Sequence, residues 1–136
     1  MPVTSAEFRR LALSLPDAVE SAHMGHPDFR VRDKIFATMS YPSKEWAMVK
    51  LSPEHQHEFS RTEPDAFIPV KGTWGRRGAT SVLLKKAKKS TLQQALRAAW
   101  INTAPKLLAA ELKKSESASS SQHARRRVRR RSGSRQ

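Results

Sequence analysis

The sequence predicts a two-layer α+β sandwich with an antiparallel sheet, in the order α-β(3)-α-β(2)-α. Three observations predict it. Apolar residues recur at helical spacing near both ends of the first hundred or so residues. Between those stretches they alternate with polar residues, the period of a strand. The alternating runs are separated by short turn-forming segments, and a short connection joins antiparallel neighbours.

The first helix is marked by Thr4 and Glu7, which have capping-box spacing. Phe8, Leu11, Ala12 and Leu15 then form one apolar stripe, and Pro16 stops the helix because it disfavours helix at the residue before it. From Val19 to Leu51 the period is two. Phe29 and Val31 share a face, as do Ile35, Ala37, Met39 and Tyr41, and then Ala47, Val49 and Leu51. Gly25, Pro27, Asp33, Pro42 and Ser43 supply the turns, so three strands are expected.

Ser52-Pro53-Glu54 reads as an N-cap, a proline at the first helical position and an acid in the first turn. That helix should run to about Arg61. Strands are expected over Phe67–Val70 and Thr80–Leu84, joined by the glycine-rich loop KGTWGRRGA. Ser90 and Gln93 have a second capping-box spacing. Leu92, Leu96, Ala99, Trp100, Leu107 and Leu108 make the last helix's apolar face, with a kink or break near Asn102–Ala104 before Pro105. Phe8 and Trp100 belong to the core, and Trp46 starts a strand half-exposed.

Residues 1–112 thus make one α+β domain, and 113–136 a Ser/Arg-rich basic tail that lacks the apolar residues to offset its ordering entropy and is expected to be disordered. The net charge is +14, of which the tail carries +8 and the rest of the chain +6. Such a balance favours polyanions. The chain has no cysteine, which excludes disulfides, thiolate metal sites and a cysteine nucleophile. The N-terminus lacks a signal-peptide pattern and no apolar run reaches the ~20 residues of a membrane span, so a cytoplasmic protein without membrane partners is expected.

Gly25-His26-Pro27 with Phe29-Arg30-Val31, Lys34 with Phe36-Ala37, Lys50-Leu51 before Pro53-Glu54, Pro69-Val70 with Trp74-Gly75, and Ala99-Trp100 with Ala104-Pro105-Lys106 stand in an order and at intervals that resemble the MmcQ/YjbR-like family of small bacterial proteins. The match covers roughly residues 4–112. The resemblance implies a two-layer α+β fold similar to that of secretion chaperones, and DNA binding through a double-wing arrangement of strands and loops. One departure is visible: the family commonly has Trp after the glycine at Gly78, where this chain has Ala79.

Two segments suit nucleic acid. Arg125, Arg126, Arg127, Arg129, Arg130 and Arg131 fill six of seven consecutive positions. Guanidinium groups pair with phosphate oxygens bidentately, largely regardless of sequence; the plainer reading is a solubilising terminus. The second segment is the loop with Lys71, Trp74, Arg76 and Arg77, followed by Lys85 and Lys88. Glycines admit close approach to a phosphate, and an exposed Trp74 can stack on a base. Alternatively Trp74 packs in the core and the lysines guard an edge strand.

His23-x-x-His26 and His55-x-His57 match no metal-ligand frame, and Glu20, Asp28 and Asp33 pair with no nucleophile. Lys34 and Lys50 lie on strands, either converging on an anion or standing as surface or ion-paired lysines. The expectation is a non-enzymatic DNA-binding protein that needs no cofactor or metal. The alternatives are an RNA- or ribosome-associated protein and a protein- or ligand-binding module on the concave side of the sheet. If Lys50, Lys71, Arg76, Arg77, Lys85 and Lys88 form one face, nucleic acid is favoured; if they scatter and an apolar groove is exposed, partner binding is.

Overall fold

The computed structural model describes residues 3–40 and 43–114. The arginine run Arg125–Arg131 and Tyr41 lie outside the described residues. Two units divide after Ala104.

Helix α1 (Ser5–Leu13) begins at the capping box: the Thr4 hydroxyl accepts from the Glu7 N–H at 3.1 Å, and Glu7 Oε1 accepts from the Thr4 N–H at 3.2 Å. The hydrogen bond from the Thr4 backbone holds the Glu7 carboxyl below its usual range. Strands β1 (Ala18–His23), β2 (His26–Val31), β3 (Lys34–Met39) and β4 (Trp46–Lys50) follow as an antiparallel meander. Two-residue turns join the first three. Met24 and Gly25 have φ of 49° and 79°, and Arg32 and Asp33 have 50° and 70°, the paired positive values of the type I′ turns whose twist suits a hairpin. Helix α2 (Pro53–Thr62), capped by the Ser52 hydroxyl, leads to β5 (Phe67–Pro69), the single turn α3 (Thr73–Arg76), β6 (Ala79–Leu83) and α4 (Lys89–Thr103).

The sheet therefore has six strands, in the order β1-β2-β3-β4-β6-β5, one more than alternation predicts. The additional strand is β1. Its four central residues are all exposed and its two ends half-buried, so no apolar period marks it. Backbone pairing with β2, from Ala18↔Val31 to His23↔His26, defines it instead.

Phe29, Ala37, Val49, Met39, Ala47, Val82 and Phe67 share one face by register. Phe8 stacks edge-on against Phe29 at 5.8 Å and Phe59 lies 5.3 Å from Phe67, which places α1 and α2 on that face. α4 packs against β3 and β4. Its Trp100 is 0% exposed, and the indole N–H donates to the Pro16 carbonyl at 2.9 Å. The result is the expected two-layer α+β sandwich. Trp46 opens β4 half-buried, also as expected.

The start of α4 differs from the capping pattern. Lys88 is the N-cap, no side chain caps the helix, and Ser90 sits inside its first turn. The Lys88 N–H is met by Glu63 Oε1 at 3.3 Å, a partner distant in sequence. The helix stops at Thr103, and Ala104 is extended, as the residue before a proline must be. The second unit starts at Pro105 and is helical over residues 106–114. Leu107, expected on the last helix's apolar face, is instead 82% exposed and lies in the second unit, beyond the break at Pro105. Among the described residues no helix is long and apolar enough to cross a membrane.

Candidate functional site

Lys50 ends β4 directly opposite Ala79, which begins β6. The loop over residues 71–78 reaches this point through two glycine contacts. A side chain at Gly75 would overlap the Val70 carbonyl, and one at Gly78, where φ is +115°, would overlap that of Leu51. The Gly78 carbonyl accepts from the Leu51 N–H at 3.2 Å and from the Thr80 hydroxyl at 2.8 Å. From α2, the Gln56 amide donates to the carbonyls of Gly75 at 2.8 Å and Ala79 at 2.9 Å. Gly75 and Gly78 thus admit the protein's own backbone, which replaces the reading of these glycines as an approach for phosphate.

Trp74 goes the other way. It is 63% exposed on α3, outside the core. Together with Arg77, Lys50, Leu51, Ala79 and Asn102 it lines a cleft of about 250 Å³. A second cleft of about 410 Å³ shares Lys50 and Asn102 and adds Arg30, Asp33, Lys34, Ile35 and Thr103. Lys34 and Lys50 do converge. Asn102, in the last turn of α4, donates to the Lys50 carbonyl at 3.1 Å and so ties the helix end to the strand end. Neither Lys50 nor Arg77 has an ion-pair partner among the described residues.

The other basic residues divide. Lys71 follows Val70, whose N–H donates to the Ala79 carbonyl, so it lies at the same end of the ladder as Arg77. Arg76 is exposed, with its guanidinium on the Thr73 hydroxyl at 3.1 Å. Lys85 and Lys88 follow the far end of β6, where the Leu84 N–H donates to the Glu45 carbonyl. Four residues of strand put that end roughly 13 Å from Ala79. There Lys85 pairs with Glu45 at 3.9 Å and Lys89 with Glu7 at 3.8 Å. Of the predicted contacts, Lys71, Arg76 and Arg77 therefore lie at one end of β6 and Lys85 and Lys88 at the other, so they do not gather on one face as nucleic-acid binding would favour.

A separate polar cluster sits on β1 and β2. Asp28 is 0% exposed and accepts from Arg30 at 2.8 and 3.1 Å and bonds His23 Nδ1 at 2.7 Å. His26 Nδ1 lies 2.9 Å from the Ser40 carbonyl. Among the described residues no three His, Asp or Glu side chains are grouped to hold a metal ion.

Gln56 and Asn102 are the site residues that sequence reasoning missed. Both act on backbone far along the chain, and no local motif signals such contacts.

The family model described as YjbR matches residues 13–101. Among solved structures, the crystal structure of protein DR2400 from Deinococcus radiodurans, which carries a DUF419 domain, superimposes with a TM-score of 0.61 at 18% identity, covering 73% of this chain and 77% of that one. At that identity the likeness shows the fold. No curated protein gives a significant match.

Proposed function

This chain belongs to the YjbR family, and on that footing we propose that it is a non-enzymatic DNA-binding protein. One observation carries the reading: an exposed indole, Trp74, shares a cleft with two cations, Arg77 and Lys50, that lack acidic partners among the described residues. Polyphosphate chains offer the missing anions, and an indole face offers a stacking surface. The arginines Arg125–Arg131 add phosphate contacts that position the chain without reading bases. Lys85 and Lys88, at the other end of the sheet, contribute long-range attraction rather than contacts in the cleft.

Titrating duplex and single-stranded DNA into the full chain and into residues 1–114, at several salt concentrations, tests this. Binding by 1–114 at low salt that weakens in the double variant Arg76→Ala with Arg77→Ala supports the domain as a DNA reader. A truncated chain that binds no DNA at low salt removes the domain from that role and makes protein binding the better account.

A further inference from the structure

The shape of the cleft narrows the ligand class. Phosphate-directed binding to a duplex needs only a convex or shallow cationic surface, because duplex bases are stacked on one another and their faces are covered. Here the cations border a recess, and the aromatic residue is at its edge. Ala79, which also lines the cleft, ends at Cβ and so takes little of its volume. The Gln56 clamp on the carbonyls of Gly75 and Ala79 fixes the backbone on both sides of Arg77. The backbone next to Trp74 is therefore tied to α2, and the indole projects from it exposed. The neighbouring cleft shares Lys50 and adds Lys34 and Arg30, so the two clefts together are bordered by four cations, with Asp33 the one carboxylate among their lining residues.

We propose that this double cleft takes a single-stranded stretch of DNA, with one unstacked base on Trp74 and the following phosphates against Arg77, Lys50 and Lys34. The proposal rests on the DNA-binding reading and specifies the strand state that the folded domain selects. An unpaired strand has free base faces to offer, and each stacked base contributes regardless of its identity, so the selectivity is for strandedness rather than for sequence.

Anisotropy titrations of the full chain with three labelled probes test it: a thymidine oligonucleotide, an abasic oligonucleotide with the same number of phosphates, and a duplex of matched charge. The expected result is tighter binding of the thymidine strand than of the abasic strand by about tenfold. Trp74→Leu should erase that margin, bringing the thymidine strand down to the affinity of the abasic strand. Trp74 is largely exposed, so an unaltered melting curve should accompany the variant. Equal affinity for thymidine and abasic strands in the wild-type chain overturns the proposal, as does a margin that survives Trp74→Leu. Failure of all three probes to bind at low salt instead overturns the DNA-binding reading itself.

Discussion

Arg30 grips the carboxylate of Asp28 at two points, Nε on Oδ1 at 2.8 Å and Nη2 on Oδ2 at 3.1 Å, although the two residues are only two apart on β2. The pairing register shifts beside this pair: Phe29 faces Ala37 and Arg30 faces Ile35, which leaves Phe36 as the extra residue on β3. His23, reaching across from β1, completes the shell at 2.7 Å.

The pair makes stability depend on acid. The hydrogen bonds from Arg30 hold the Asp28 carboxyl below its ordinary 3.8; burial opposes that, and His23 reinforces it. A carboxyl with a depressed folded-state pKa stabilises the fold above its unfolded value, and that contribution is lost as pH falls through the folded value. Urea melts at neutral pH and near pH 3 should therefore show a larger loss for the wild type than for Asp28→Asn. At neutral pH, Asp28→Ala should lower the denaturation midpoint, because it removes the buried acceptor shared by Arg30 and His23.

Trp100→Ala should destabilise the domain by roughly 3–5 kcal/mol, through the cavity left by a fully buried indole. Trp100→Phe keeps most of the volume and orphans the Pro16 carbonyl. Its loss should be smaller, by thermal or denaturant melting.

Much of the fold can be read in the sequence because local rules decide it. Thr4 and Glu7, Ser52 and Pro53, and the turn at Arg32-Asp33 are each fixed by neighbours within a few residues. The failures share a cause. β1 is defined by its partner strand, and α4 is met by Glu63 instead of capped by Ser90. Lys85 and Lys88 are close to Arg77 in sequence, yet the length of β6 carries them to the opposite end of the sheet. Within the site, Trp74 and Arg77 are legible as chemistry. Gln56 and Asn102, which hold the cleft together, are not, since their targets lie on other elements.

Gln56→Ala removes one donor from each of the Gly75 and Ala79 carbonyls, which keep their backbone partners Gly78 and Val70, with an expected cost of about 1 kcal/mol. The amides of Leu51 and Val70, which donate to Gly78 and Ala79, should exchange faster with solvent than in the wild type.

Alanine at two glycines separates steric from conformational cost. At Gly72, φ is +85° with ψ −157°, a conformation essentially confined to glycine, and nothing crowds the position, so Gly72→Ala should cost about 1–3 kcal/mol from the backbone alone. Gly78→Ala meets the Leu51 backbone as well and should be clearly worse. Equal melting temperatures for the two variants would mean that the loop does not approach β4 so closely.

Deleting residues 115–136 removes seven arginines. The log–log salt dependence of duplex binding should become shallower by several units, at about 0.9 for each phosphate no longer neutralised.

The strand order carries a consequence for how the molecule assembles. β1 to β4 form a chain of hairpins, whose contacts are local and close quickly. β6 can join β4 only after the intervening α2–β5–α3 segment has looped back, a slower search with a larger entropic cost. Because Lys50 and Arg77 come from opposite sides of that junction, the cleft exists only once the β4–β6 ladder has closed. A ligand bridging them will slow unfolding by holding this late seam shut.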